Sequence, residues 1–268
     1  MAEALVHAQT PPKFVRVYHD AKTKRAFVGT VWLKDVPGAL AAAAGALAST
    51  GVNLVGSSSS TVNGTGYAEW GFFAEVDNEG LTRDSIIRRL RRIPQITRFE
   101  LDEGKHGLVV DSIHYPLRFN TGQQGLIVSR STFSRMLAHM REVFGSGGNV
   151  IAYQLGFSTG EEDAEELLSA LGKQRVLENL SDLVKLYLAL GWGIPRLFNL
   201  RLQPVQATLR ISDSFECAGV RASRPNSHFL RGHLAGMVKA ILDKNVECLE
   251  VRCSATGSDF CEFHLVEV

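Results

Sequence analysis

The alternation of apolar and polar residues divides the chain into two stretches with different rhythms. Between residues 26 and 103, strand-like and helix-like patterns alternate in short order. Ala26–Leu33 (AFVGTVWL) is a near-continuous apolar run, the pattern of a buried strand. Residues 38–50 predict a helix, with Asp35 as expected N-cap, Pro37 in the first turn and Gly51 as its stop. Val52–Val62 and Gly66–Val76 read as strands joined at Asn63-Gly64, a dipeptide that accepts the positive φ of tight hairpins. Leu81–Arg92 has helical spacing at Ile86, Ile87 and Leu90 and stops before Pro94. Ile96–Leu101 then alternates as a closing strand. The order βαββαβ is ferredoxin-like.

Beyond the polar stretch Asp102–Gly107 the elements lengthen. His114–Phe119 and Gly125–Val128 are short strand candidates. Ser131–Phe144 predicts an amphipathic helix carrying Phe133, Met136, Leu137, Met140 and Phe144, closed by Gly145-Ser146-Gly147-Gly148. Val150–Leu155 is too short an apolar run to assign to strand or helix. Val176–Leu190 predicts a helix ending at Gly191-Trp192-Gly193, and Leu197–Leu202 and Val205–Ser214 predict strands around Pro204. His228–Leu242 is helical, with Gly232 and Gly236 one turn apart. Val246–Ser254 and Phe260–Val268 form a hairpin around Thr256–Asp259. The expected fold class is α+β in two domains, 26–103 and 114–268.

Composition narrows the partners. With 268 residues, 45% hydrophobic and 21% charged, the chain can bury sizeable cores. Its 29 Lys and Arg nearly cancel 28 Asp and Glu, so nothing biases it toward nucleic acid or anionic lipid. The basic run Arg83, Arg88, Arg89, Arg91 and Arg92 lacks interleaved aromatics and reads as a solvated helix face. No apolar window approaches the roughly 18 residues of a membrane span, and Met1–Pro12 lacks the segments of a signal peptide. A cytoplasmic location is the expectation. All four cysteines, Cys217, Cys248, Cys253 and Cys261, lie near the C-terminus, which in a reducing compartment points to metal ligation, redox chemistry or burial.

The run Asp35-Val36-Pro37-Gly38-Ala39-Leu40, with Leu47 and then Gly51-Val52-Asn53-Leu54, resembles the signature of the ACT domain family. That resemblance implies a regulatory module that pairs with a second copy and binds an amino acid or related metabolite. Asp35, Pro37, Gly38, Ala39, Leu40 and Asn53 would line the site. The physical basis is the exposed backbone N–H groups of a helix start, which accept a carboxylate. The rival reading is a tight strand-to-helix turn in a domain that only dimerises.

Three C-terminal segments carry a second resemblance. They are Asp213-Ser214-Phe215-Glu216-Cys217, Ser227 to Gly236 (SHFLRGHLAG), and Glu250-Val251-Arg252-Cys253 with Gly257 and Cys261-Glu262-Phe263. With Gly191-Trp192-Gly193 upstream, they resemble the 4-vinyl reductase domain family over about residues 114–268. The resemblance implies a small-molecule-binding module, often for hydrocarbon-like or aromatic ligands, in which several members carry zinc. Glu250, Cys253 and Cys261 match three ligand positions, while Ser227 stands where a cysteine is expected. Cys217 or His228 remains to complete the set. A hairpin centred near Gly257-Ser258 places Cys253 and Cys261 opposite or one residue apart, close enough for a shared metal, a disulfide or two buried thiols. Glu250, three residues from Cys253, points to the other face of a regular strand unless the strand bends.

For the ligand, Trp192, His228, Phe229, Gly232 and Gly236 are the candidate lining. The glycines serve either close backbone approach or room for a guest, and the aromatics either wall or core. Tyr153, Tyr187 and Phe198 are further aromatic candidates. His228 and His233 are about 140° apart on a helix and make no two-histidine face. Walker A, G-x-G-x-x-G and H-E-x-x-H patterns are absent. Gly156-Phe157-Ser158-Thr159-Gly160 fits G-x-S-x-G but lacks the surrounding strands of a nucleophile elbow, and reads instead as a turn before an acidic helix. The expected function is a non-enzymatic sensor, most simply a homodimer, that acts on a separate transcription regulator or enzyme. The alternative is an enzyme or delivery protein for an aromatic or tetrapyrrole-like compound, controlled by the ACT-like domain.

Overall fold

The computed structural model describes residues 13–268 apart from 63, 78, 79 and 120. Met1–Pro12, considered above for a leader, and Asn63 of the expected hairpin turn lie outside the described residues. The chain divides into one unit ending at Leu117 and a second running from Arg118 to Val268. Among the described residues no helix is long and apolar enough to cross a membrane.

The first unit contains β1 (Tyr18–Asp20), β2 (Arg25–Lys34), α1 (Ala39–Ala48), β3 (Asn53–Val62), β4 (Tyr67–Val76), α2 (Arg83–Leu90), β5 (Ile96–Glu103) and β6 (Leu108–Val110). Four strands form an antiparallel sheet in the order β3-β4-β2-β5, and β1 pairs with β6. The unbroken apolar run of β2 has a direct cause: both of its faces are covered. Phe27, Val31 and Leu33 pack with Ala43 and Leu47 of α1 and Ile86 and Leu90 of α2. Ala26 and Val28 face the other way, against Ala21 and Val109, which the β1–β6 pair brings over the sheet. That pair lies outside the expected 26–103 boundary, and its strands are too short to leave a periodic signal.

One turn is built differently from expectation. Helix α1 begins at Ala39 behind Gly38, which has φ +84° and provides no side-chain cap. Asp35 is therefore not the N-cap, and its N–H donates to Gly66 O at 2.8 Å. Glycine adopts the left-handed conformation without a Cβ penalty, so the chain turns into the helix at Gly38.

The second unit holds α3 (Arg130–Phe144), α4 (Ser146–Leu171), the short α5 (Lys173–Glu178), α6 (Leu180–Leu183) and α7 (Leu186–Ala189), then β7 (Ile194–Leu202), β8 (Val205–Ser212), α8 (His228–Leu242), β9 (Val246–Arg252) and β10 (Phe260–Glu267). Its sheet is antiparallel in the order β7-β8-β10-β9. The strand candidates at 114–119 and 125–128 are corrected to irregular chain with a single Arg118–Gln124 bridge. The helix expected over Val176–Leu190 is broken into pieces, one break falling at Asn179, whose side chain donates to Arg175 O at 2.8 Å.

Val150–Leu155 lies inside α4, and so does the G-x-S-x-G match, which is neither elbow nor turn. Its glycines have another purpose. A Cβ on Gly156 would fall 2.0 Å from Phe229 O, and one on Gly160 would fall 2.2 Å from His233 O. From the opposite side, a Cβ on Gly232 would fall 2.0 Å from Tyr153 O, and one on Gly236 2.1 Å from Phe157 O. Helices α4 and α8 thus meet backbone to backbone. Gly232 and Gly236 make this contact and leave no space for a guest on their face.

Candidate functional site

The C-terminal hairpin contains the irregularity that the Glu250–Cys253 spacing demands. Glu250 pairs with Phe263, whereas Arg252 pairs with Glu262, so Val251 is bulged out of the β9–β10 ladder. A bulge shifts the side-chain alternation by one residue. Glu250 and Cys253 consequently serve the same side. Donor atoms of Cys217, Glu250, Cys253 and Cys261 all lie within 4.8 Å of one another.

Four elements deliver this cluster. Cys217 comes from the turn after β8, Glu250 from β9, Cys253 from the strand-to-turn junction and Cys261 from β10. Ser227 precedes α8 at the centre. Its Oγ donates to Glu250 Oε1 at 2.7 Å and its N–H to Glu250 Oε2 at 2.8 Å. The sulfur of Cys217 lies 3.2 Å from Ser227 Oγ, 3.5 Å from Cys253 Sγ and 3.6 Å from Cys261 Sγ. All three cysteines are free and buried. Tetrahedral zinc with Zn–S bonds of about 2.3 Å holds its sulfurs roughly 3.8 Å apart. Both sulfur separations are close to that, so three sulfurs and a carboxylate fit a zinc ion. Cys248, packed in the core, and His228, outside the cluster, are not in the donor set.

Electrostatics prepare the site for a cation. Hydrogen bonds from Cys217 and Cys253, aided by Ser254, hold the Cys261 thiol far below its ordinary range, as a thiolate. Bonding to Cys253 and Cys261, then burial, pushes Cys217 up. Burial raises the Glu250 carboxyl to about 7 against the two bonds from Ser227. Placing a divalent ion here expels the remaining protons.

An aromatic cluster adjoins α8. Trp192 lies with ring centroids 5.4 Å from Phe215, 5.8 Å from Phe229 and 4.8 Å from His233. Phe133 packs on Phe215 and Phe229 at 5.4 and 5.3 Å. Within it, Tyr187 Oη and His233 Nδ1 are 2.8 Å apart, and His233 Nε2 lies 2.9 Å from Asp163 Oδ2. The sequence points to Trp192 and Phe229 as lining; His233, Tyr187 and Asp163 escape it as a group because they come from three helical segments. The imidazole of His228 is pushed down to about 4 by burial and by the Arg141 and Arg231 charges.

In the first unit, Asp35, Pro37, Gly38 and Leu40 are exposed at the start of α1, and Ala39 is buried beneath it. Asn53 is not with them. The ladder pairs Arg25 with Val76 and Asn53 with Glu75, whereas Lys34, next to this turn, pairs with Tyr67 at the other end. Asn53 instead donates to Glu75 Oε1 at 3.1 Å.

Residues 207–267 match the 4-vinyl reductase domain family. A curated relative, an uncharacterised protein from Methanocaldococcus jannaschii, is 28% identical over 96 residues, which covers 35% of this chain. The match spans 57% of that relative's length. Among solved structures, the phenol-responsive sensory domain of the transcription activator PoxR with phenol aligns with a TM-score of 0.46 and 18% identity, covering 54% of this chain and 77% of that one. A vinyl-4-reductase family protein from Methanocaldococcus jannaschii aligns with a TM-score of 0.34 and 20% identity, over 54% of this chain and 99% of the other.

Proposed function

We propose that this protein, with a 4-vinyl reductase domain in its C-terminal unit, is a non-catalytic regulatory sensor that binds a small aromatic or hydrophobic molecule. The observation that carries the reading is the cluster of Trp192, Phe215, Phe229 and Phe133 around the hydrogen-bonded His233–Tyr187 pair. Apolar rings around one polar pair recognise a flat ligand and orient its polar group. The rings touch one another, so a guest enters as they part, and ligand binding is thereby tied to the packing of α8. Thermal denaturation with phenol, indole and a straight-chain fatty acid tests this. Stabilisation by an aromatic compound, lost in Trp192→Ala, is expected; no shift with any of them overturns the reading.

In the same unit, Cys217, Glu250, Cys253 and Cys261 would hold zinc. With four protein donors and no open position, zinc serves structure rather than catalysis. Elemental analysis of the purified protein should return one zinc per chain, absent from the Cys253→Ser/Cys261→Ser variant.

The first unit completes the reading as a ferredoxin-like, ACT-type module, supported by its βαββαβ order and sheet order. The start of α1 at Gly38, Ala39 and Leu40 would take an amino-acid carboxylate, since nothing lies within 4 Å of a Cβ placed on Gly38. Stabilisation by an amino acid and its loss in Gly38→Asp test this. Pairing of two chains and transmission to a separate regulator or enzyme follow as the output. The oligomeric state with and without ligand, by light scattering, is the measurement.

A further inference from the structure

Three consecutive residues reach into three neighbouring structures. Phe215 belongs to the aromatic cluster. Glu216, with its side chain fully buried, accepts from Phe229 N at 3.0 Å and Leu230 N at 2.9 Å, in the first turn of α8. Cys217 is one of the four clustered donors.

The segment is anchored on its upstream side. Arg130 forks onto Asp213 at 2.8 and 2.9 Å, Phe215 N donates to Trp192 O at 2.9 Å, and Ser134 Oγ donates to Phe215 O at 2.6 Å. Downstream, Ala218 and Gly219 are exposed. Glu216 is therefore the last side-chain anchor before Cys217. It is itself locked by Arg141 of α3, whose Nη2 lies 2.6 Å from Glu216 Oε1 and also donates to Asn226 O at 2.9 Å. Asn226 immediately precedes Ser227, the residue that holds Glu250. Arg141 and Glu216 thus pin both the chain that carries Cys217 and the helix start against which Cys217 rests.

We infer that Glu216, clamped by Arg141, is the positioning residue that delivers Cys217 to the metal. This rests on the zinc reading above and deepens it. A buried carboxylate at this point has no contact with the donor atoms in the set. Its contribution is to fix where the third sulfur stands, as outer partners of metal ligands do.

Cobalt(II) loading of the full chain tests the inference, because thiolate-to-cobalt absorption counts the sulfurs bound. Wild type is expected to show three thiolates. Glu216→Ala should lose about a third of that absorption, as one thiolate of three is released, and should bind roughly 10–100-fold more weakly in competition with a chelator. Arg141→Met, which frees Glu216 while leaving the α8 cap in place, should shift in the same direction and less. Cys217→Ser should give the two-thiolate spectrum. If Glu216→Ala fails to fold by circular dichroism, Arg141→Met decides. A folded Glu216→Ala protein, or in its place Arg141→Met, with the full three-thiolate spectrum and wild-type affinity overturns the inference and leaves the zinc reading standing. Wild type that takes up no cobalt overturns both.

Discussion

Glu250 and Cys253 present their donor atoms to one point although three residues separate them, because Val251 has no partner on β10. Deleting Val251 restores a regular ladder and turns Glu250 to the opposite face. The Ser227–Glu250 bonds at 2.7 and 2.8 Å would be lost with it. The expected outcome is loss of bound zinc by elemental analysis in a chain that keeps its strand content by circular dichroism. Retention of zinc at wild-type stoichiometry would show that the bulge does not set the site.

The glycines of α4 and α8 give a stability test with an internal contrast. Gly232→Ala puts a Cβ 2.0 Å from the Tyr153 carbonyl oxygen, so the helices must separate along their contact. A cost of about 1–3 kcal/mol is expected, the range for overpacking. Gly147→Ala, also within a helix but with only Phe144 Cβ at 4.0 Å, should instead stabilise by roughly 0.5–1 kcal/mol. Chemical denaturation of both variants measures the difference. Equal effects would mean the backbone contact is not limiting.

Much of this fold is written in local pattern. The βαββαβ order, the helix at His228–Leu242 and the C-terminal hairpin follow from periodicity and turn residues, since each is stabilised by neighbours in sequence. What escaped has a common physical origin. The β1–β6 pair is too short to show a period, and Val150–Leu155 is ambiguous until Gly156 and Gly160 are seen to face α8. The metal donors Glu250, Cys253 and Cys261 were legible by spacing, but the bulge that unites them depends on pairing across strands. Ser227 and Glu216 act through hydrogen bonds to residues ten or more positions away. Nothing in their local sequence signals those partners.

Glu75 in the first unit carries a pH-dependent contribution. It accepts from Lys24 Nζ at 2.9 Å, from Asn53 Nδ2 at 3.1 Å, and contacts His19 Nε2 at 3.2 Å. The Lys24 bond, opposed by burial, holds its carboxyl below the usual carboxylate range. A depressed folded-state value means stability that is full above the unfolded-state value and is lost as pH falls through the folded one. Glu75→Gln should therefore cost about 1 kcal/mol at neutral pH, since the group is largely but not fully buried. The gap between wild type and variant should close below about pH 4. A gap that stays constant from neutral pH to acid would rule out ionisation as its source.

His233 is held from both sides inside the aromatic cluster. Asp163 accepts from Nε2–H at 2.9 Å, which leaves Nδ1 to accept the Tyr187 hydroxyl at 2.8 Å. Burial drives the Tyr187 phenol far above its ordinary range, so it stays protonated and remains the donor. Tyr187→Phe keeps the ring but strands Nδ1 in a site where His233 is only 4% exposed. A buried acceptor without a partner costs about 1–3 kcal/mol. Asp163→Asn should cost less, because the Asp163 side chain is 38% exposed and water replaces part of what is lost. Urea denaturation of the two variants gives the ranking. Should Asp163→Asn prove the more damaging, the stability of this relay would reside in its charged outer end rather than in the buried hydroxyl.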